Sequence, residues 1–205
     1  GKTVVVAGVE GQEVFAVFAI SDPIKETSAA AVAHLHTLGI QTWMITGDNS
    51  MTAASVAKQV GISHFMAEVL PGQKAAKIQE LQSKGFIVAM VGDGVNDAPA
   101  LAQAHIGIAM GTGTDIAMEA ADITLVRGDL RLVSKALELS RATMKTIKQN
   151  LFLSFIYNMI GIPMAAGLLY PLTGAFLSPI WASLAMALSS VSVVLNSLRL
   201  RSRVF

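Results

Sequence analysis

The sequence contains no cysteine, which excludes disulfide bonds, thiolate metal sites and a cysteine nucleophile within its 205 residues. Charged residues are also scarce, at 14%, whereas soluble domains contain about 25%. Hydrophobic side chains make up 53% of the chain. This excludes a disordered chain, because disorder requires few apolar residues and many charges. The net charge of +1 gives no indication of nucleic-acid binding.

The few charges are distributed unevenly along the chain. All 14 acidic residues and 12 of the 15 lysines and arginines precede residue 149. The next 50 residues, 149–198, carry no charge, and three arginines follow in 199–205. This division predicts a soluble piece of about one domain's length followed by a membrane piece. Because the chain begins with glycine inside a strand-like run, we expect it to be a piece of a longer protein.

The soluble piece has the pattern of an α/β fold. Apolar runs in 3–9 and 13–20 predict a β-hairpin. From there to residue 126, short strands that are apolar throughout alternate with helices. This alternation predicts a parallel sheet that helices cover on both faces. Ligands of such sheets bind at the carboxyl ends of the strands.

The membrane piece contains two stretches, 151–170 and 179–198, that match the roughly 20 residues needed to cross a bilayer. Asp129 is the expected N-cap of a helix that leads into the first stretch. Proline and glycine between the stretches predict a hairpin of two spans. The length of the stretches and their lack of charge disfavour the alternative, a buried hairpin of a soluble protein. Cations precede the first span and follow the second, so the positive-inside rule places the soluble domain and the C-terminus in the cytoplasm.

The most informative loop is GDGVNDAP, residues 92–99. Asp93 and Asp97 lie on either side of Asn96, where a helix is expected to start after a buried strand. Hard oxygen ligands at this density suit Mg²⁺, which takes one or two carboxylates together with water and phosphate oxygens.

A second polar loop, Thr46-Gly47-Asp48, follows a neighbouring strand and offers the hydroxyl and backbone donors of a phosphate pocket. Lys74 offers a positive charge for the same anion. Taken singly, each loop also fits an ordinary turn or helix cap. Together, at successive strand ends of one sheet, the two loops favour phosphoryl transfer.

Four motifs resemble the phosphorylation domain of P-type ATPases, which belong to the haloacid dehalogenase-like superfamily. They are DPIK at 22–25, TGDN at 46–49, PGQK at 71–74 and GDGVNDAPAL at 92–101. The resemblance implies a Rossmannoid parallel sheet. The DKTGT motif that holds the family's nucleophilic aspartate is missing here. The central strand of the sheet is therefore expected to be missing too, and the isolated chain is expected to be inactive.

The resemblance also implies a domain organisation and roles for the two loops. Asp93 and Asp97 would serve Mg²⁺, with Asp93 the more direct ligand. Thr46, Gly47 and Lys74 would hold the phosphoryl group, Asn96 would contact phosphate or order its loop, and Asp48 would support the hinge and the nucleotide, ATP. The implied segments are a tail hairpin of the nucleotide-binding domain (1–20), the C-terminal part of the phosphorylation domain (21–128), a linking helix (129–150), two transmembrane helices (151–198) and a cytoplasmic tail (199–205).

The membrane piece indicates the transported ion. Neither span contains Asp, Glu, Lys, Arg or His, and Met186 and Ser189 share a helix face. A thioether selects Cu⁺ over hard cations, although methionine and serine are also ordinary packing residues in membranes. Tyr157-Asn158 together with Met186 and Ser189 resembles the last two helices of copper-transporting P-type ATPases, and implies that these four residues bind Cu⁺. Zinc-type relatives carry a Lys and an Asp in these two helices. The resemblance does not distinguish Ag⁺ from Cu⁺, because the two ions are chemically similar.

The sequence thus predicts part of an ATP-driven pump that exports Cu⁺ across the plasma membrane through an aspartyl phosphate. Its expected partners are ATP, Cu⁺, the lipid bilayer, the missing N-terminal part of the pump and a copper chaperone, but not nucleic acid. One alternative is a membrane-anchored phosphatase of the same superfamily, which would need an Asp-x-Asp nucleophile before Asp22 that is not present. The other is a non-catalytic membrane module.

Overall fold

The computed structural model describes residues 2–9, 14–20, 22–93, 95–111, 115–174 and 178–201. The chain divides into two compact units, 1–134 and 135–205. The elements up to residue 125 are β1 (Thr3–Gly8), β2 (Val14–Ile20), α1 (Ser28–Thr37), β3 (Trp43–Ile45), α2 (Ser50–Val60), β4 (His64–Met66), α3 (Lys74–Ser83), β5 (Ala89–Gly92), α4 (Ala98–Gln103), β6 (Ile106–Met110), α5 (Asp115–Glu119) and β7 (Ile123–Leu125). The remaining helices are α6 (Arg131–Ala165), α7 (Tyr170–Thr173) and α8 (Pro179–Arg201). Short 3₁₀ turns, Pro71–Gln73 and Val95–Asp97, precede α3 and α4.

The first two strands form the predicted hairpin. Strands β1 and β2 pair antiparallel from Thr3 opposite Ile20 to Gly8 opposite Val14, with a register shift beside Gly8. Their apolar side chains remain exposed, among them Phe15 at 71% and Phe18 at 53%.

The α/β fold with parallel strands is confirmed, but the ladders form two sheets. Strand β3 pairs in parallel with β4, and β5 pairs with β6, which pairs with β7. Within the described residues no ladder joins the two sheets. Strand β6 has partners on both sides, and its residues 107–110 are buried. Strands β3 and β5 each pair on one side only and are largely half-buried.

Helix ends follow local chemistry, and the helices contribute most of the buried side chains. Asn49 caps α2 by accepting a hydrogen bond from the Thr52 N–H at 2.9 Å. Gly61 ends α2 with a φ of 79°, a left-handed conformation that glycine adopts without strain. The largest fully buried side chains are Ile78 on α3 and Leu101 on α4, so these two helices form the core beside β5 and β6.

The long apolar helices differ in part from the prediction. Asp129 accepts a hydrogen bond from the Arg131 N–H at 3.0 Å, as expected of the N-cap of α6. Helix α6 then runs into the uncharged segment, but it ends at Ala165 and a turn follows, with Gly167 at a φ of 95°. The structure therefore does not continue the first predicted span as one helix to residue 170. Helix α8 contains one stretch, Ser183–Arg201, that is long and apolar enough to cross a membrane, with a mean hydropathy of 1.4.

Candidate active site

The acidic loop after β5 is organised around Asp97. Its carboxylate accepts a hydrogen bond from the Lys74 Nζ at 2.7 Å through Oδ1, and from the Asp93 N–H at 3.3 Å through Oδ2. The side chains of Lys74 and Asp97 are only 18% and 12% exposed. Two residues 23 positions apart in sequence are thus held in one partly buried ion pair. Water screens such a pair less than it screens a surface pair.

Gly92, the last residue of β5, permits this arrangement. A Cβ atom at position 92 would lie 2.7 Å from the Asp97 Cβ and 2.9 Å from its Oδ2. Gly92 therefore admits the side chain of Asp97, a contact that the spacing of five residues does not reveal.

The remaining oxygen ligands of this loop face solvent. Asp93 and Asn96 are exposed, and the Asp93 carboxylate makes no hydrogen bond or ion pair with the residues that the structure describes. The described residues include no group of three or more His, Cys, Asp or Glu that could hold a metal. Mg²⁺ does not require one, because it combines one or two carboxylates with water and phosphate oxygens. These residues fit Mg²⁺, with Asp93 as the available ligand and Asp97 engaged by Lys74.

The loop after β3 is a compact turn. The Thr46 hydroxyl donates to the Asp48 Oδ2 at 2.8 Å, and the Asp48 N–H donates back to the Thr46 Oγ1 at 3.1 Å. Gly47 between them is exposed, and among the described residues its N–H has no hydrogen-bond acceptor. Asp48 therefore fixes the Thr46 side chain, and the Gly47 N–H is available to an anion.

The chain between β4 and α3 connects the two loops. The Val69 N–H donates to the Thr46 carbonyl at 3.0 Å, and the Glu68 N–H donates to the Asp48 carbonyl at 2.9 Å. The segment then passes through the Pro71–Gln73 turn to Lys74, which pairs with Asp97. The structure thus links the loop at Thr46 to the acidic loop through Lys74.

Two contacts near the end of this unit were not assigned from sequence. Lys25, the last residue of the DPIK motif, donates from Nζ to the Gly128 carbonyl at 3.0 Å, across 103 positions. Arg131 binds the Asp129 carboxylate with an NH2–Oδ2 distance of 2.7 Å. The Arg131 hydrogen bonds lower the pKa of Asp129 to about 2. The DPIK motif pointed to Lys25, but nothing in the sequence identified its acceptor.

The four residues predicted to bind Cu⁺ lie on α6 and α8. The Asn158 Nδ2 donates to the Ser154 carbonyl of its own helix at 3.2 Å, and Tyr157 is half-buried. Met186 is 72% exposed, whereas Ser189 is half-buried. No hydrogen bond in the described residues joins the α6 pair to the α8 pair. Their role in metal binding stays a prediction.

Comparisons with known proteins agree with the motifs. The family model of haloacid dehalogenase-like hydrolases matches residues 1–105. A probable copper-transporting ATPase, PacS, of Synechococcus elongatus is 59% identical over 98% of this chain and 27% of its own length. A silver exporting P-type ATPase of Salmonella typhimurium is 54% identical over 98% of this chain and 24% of its own length.

A solved structure is also similar. A zinc-transporting PIB-type ATPase superposes with a TM-score of 0.79 at 37% identity, over 93% of this chain and 30% of its own. The chain spans about a quarter of the length of the curated relatives it matches. The resemblance to copper-transporting P-type ATPases that the motifs predicted is confirmed by these identities, and the chain belongs to the haloacid dehalogenase-like hydrolase family.

Proposed function

We propose that the chain is part of an ATP-driven P-type pump that exports Cu⁺ through an aspartyl phosphate. The observation that carries this proposal is the Lys74–Asp97 ion pair, with an N–O distance of 2.7 Å, beside the exposed carboxylate of Asp93 at the end of β5. A cation, a carboxylate and an unoccupied backbone donor on neighbouring loops suit the charged oxygens of a transferring phosphoryl group.

Each residue of the two loops has a part in this chemistry. Bound Mg²⁺ would neutralise phosphate charge, and Asp93 would hold it. Lys74 would stabilise the phosphoryl oxygens while Asp97 fixes its position. The Gly47 N–H would bind the same anion. The Thr46 hydroxyl, oriented by Asp48, would bind it once its proton turns away from the Asp48 carboxylate. Asn96 would order the loop or contact phosphate.

The nucleophilic aspartate of the pump would come from outside these residues. In the part of the chain that the structure describes, β3 and β5 belong to separate sheets and each pairs on one side only, which supports the predicted place for a strand between them. That strand would bring the DKTGT motif beside Thr46 and Asp93. In this proposal, the missing N-terminal part of the pump is the partner that completes the sheet.

Phosphorylation by radiolabelled ATP tests this assignment. The chain alone is expected to incorporate no acid-stable phosphate, whereas the chain assembled with the rest of the pump is expected to incorporate it in the presence of Mg²⁺. In that assembly Asp93→Asn should remove the Mg²⁺-dependent signal. Asp115→Asn, at the exposed start of α5, is the matched control and should leave the signal unchanged. Equal labelling of the two variants would exclude Asp93 from the site.

For the transported ion we propose Cu⁺, with Ag⁺ as a chemically similar substitute, bound by Tyr157, Asn158, Met186 and Ser189. Relatives named as a probable copper-transporting ATPase and a silver exporting P-type ATPase support this, and so does the absence of charge between residues 149 and 198. A monovalent soft ion needs a thioether more than it needs a carboxylate. The soluble unit and the C-terminus would lie in the cytoplasm of a cell whose plasma membrane holds the pump. A copper chaperone would supply the ion.

Met186→Leu in the intact pump tests the ion site, with Met159→Leu as its control. Both side chains lie in the uncharged segment and are strongly exposed, at 72% and 65%. Loss of the Met186 thioether should lower Cu⁺-stimulated ATP hydrolysis by about tenfold or more. A tenfold change corresponds to about 1.4 kcal/mol of lost binding free energy for the ion. The Met159 variant should keep its activity. If Met186→Leu leaves both activation and Cu⁺ affinity unchanged, Met186 is not a ligand.

A further inference from the structure

The second unit contains an open groove between α6 and α8 that the proposed function does not use. Its volume is approximately 660 Å³. It lies at the point where α6 passes from its charged part into the uncharged segment. The lining residues are Arg141, Met144, Lys145, Lys148, Gln149, Phe152, Leu153 and Asn196.

The groove has a strong excess of positive charge. Arg141, Lys145 and Lys148 follow one another at spacings of four and three residues and so share one face of α6. The last acidic residue of the whole chain is Glu138. In the described part of the chain, neither Lys145 nor Lys148 forms an ion pair. Like charges at these spacings repel one another, so the arrangement favours an external anion.

Polar contacts between the two helices form one end of the groove. The Asn196 Nδ2 donates to the Asn150 Oδ1 at 2.8 Å, and the Asn150 Nδ2 donates to the Ser197 Oγ at 2.8 Å. These bonds hold the last turns of α8 against α6, and Asn196 in those turns lines the groove. Arg199 and Arg201 lie in the last turn of α8, so both helices present cations at the same end of this unit.

The other side of the groove is apolar. Met144 and Phe152 are 53% and 64% exposed, and Leu153 is half-buried. A free phosphate ion would contact the cations and leave these side chains in water. An amphiphile with an anionic head and an apolar tail would contact both.

We propose that this groove binds one anionic phospholipid. Its phosphate would lie against Arg141, Lys145 and Lys148, and the first methylenes of its acyl chains would lie against Met144 and Phe152. Basic pockets between membrane helices on the cytoplasmic side are suited to such headgroups. The inference rests on the membrane insertion of the second unit within the proposed function.

The test compares the whole chain with two double variants of equal charge. Lys145→Gln/Lys148→Gln removes two cations from the groove. Lys58→Gln/Lys135→Gln removes two cations from elsewhere. Dioleoyl-phosphatidylglycerol is titrated into each detergent-solubilised chain, and native mass spectrometry gives the lipid-bound fraction. Dioleoyl-phosphatidylcholine and excess inorganic phosphate are the reference ligands, and flotation with phosphatidylcholine vesicles measures insertion separately.

The unchanged chain and the Lys58/Lys135 variant are expected to prefer phosphatidylglycerol over phosphatidylcholine, and inorganic phosphate is expected not to displace it. The groove variant should lose about fivefold in affinity for each lysine removed, and Lys145→Arg/Lys148→Arg should restore binding. Equal affinities for the two lipids, equal losses in the two double variants, or displacement by phosphate would overturn the proposal while flotation still supports membrane insertion. A chain that does not float would overturn both.

Discussion

The Lys74–Asp97 ion pair should couple the two loops of the candidate site energetically, and a double-mutant cycle measures this. Lys74→Met leaves the Asp97 carboxylate 12% exposed without its cation. Breaking a fully buried pair in this way costs 3–5 kcal/mol, and an exposed pair contributes at most about 1 kcal/mol. Because this pair is partly buried, we expect Lys74→Met to lower the free energy of unfolding by about 2–3 kcal/mol.

Asp97→Asn should cost less. The amide keeps an oxygen for the Asp93 N–H, so the expected loss is about 1–2 kcal/mol. In the double variant no buried carboxylate remains to be compensated. The loss of stability in the double variant should therefore be about 1.5–2 kcal/mol smaller than the sum of the two single losses. This difference is well above the 0.3–0.5 kcal/mol within which independent sites add.

Urea unfolding followed by Trp43 fluorescence provides the assay, in a Trp181→Phe background. Trp43 lies on β3 and stacks on His64 with ring centroids 4.5 Å apart, so its emission reports on the sheet that carries Thr46. The control cycle removes Lys84 and Glu80, an ion pair at 2.7 Å whose side chains are 53% and 42% exposed. That cycle should give a coupling of at most about 0.5 kcal/mol. A Lys74–Asp97 coupling no larger than this would refute the view that the pair joins the two loops.

Two further predictions concern the first unit. Gly107→Ala should lower the stability by about 1–3 kcal/mol in thermal unfolding, because its Cβ would lie 2.7 Å from the Leu101 carbonyl oxygen. Gly72→Ala, with no atom within 4 Å, should change it little, and similar losses would contradict the clash. In a carboxyl NMR titration, Asp129 should titrate near its pKa of about 2, and Arg131→Gln should return it toward the ordinary 3.8. Because folding lowers this pKa, the contribution of the Asp129 carboxylate to stability is complete above pH 3.8 and is lost as the pH falls through about 2. A titration midpoint near 3.8 in the unchanged chain would contradict this.

The positions of the site residues could be predicted from sequence because strand ends are local features. An apolar run that stops at a glycine-rich acidic loop marks the end of β5. In the described residues no ladder joins β5 to β3, so the predicted common edge with the Thr46 loop is not formed by strand pairing. The orientation of Asp97 could not be predicted in the same way. It depends on the Val95–Asp97 turn and on Lys74, which lies 23 positions away, and sequence spacing does not report such a contact.

The limits of the strands were less predictable than their existence. The apolar run 86–91 predicts a six-residue strand, but β5 covers only Ala89–Gly92, and Ile87 is 85% exposed. The ladder begins where Ala89 meets Ile106. An apolar run marks residues that avoid water, whereas register depends on the partner strand, which the run itself does not specify.

The distribution of side chains around α8 accounts for its high apolar content better than the length of the helix does. Among the described side chains of α8, four of the six half-buried positions carry small or polar residues, Ala185, Ser189, Ser192 and Asn196, and the other two carry Val193 and Leu200. Bulky apolar side chains, Leu184, Leu188, Val191 and Leu195, lie at exposed positions, together with smaller residues such as Ala187 and Ser190. A helix of a water-soluble domain has the opposite pattern, with its apolar stripe toward the core. Helices in bilayers pack through small residues and hydrogen bonds, because lipid tails are as apolar as leucine. The arrangement of these side chains therefore supports a lipid environment for the second unit independently of its hydropathy, and it places Ser189 on the packed face and Met186 outside it.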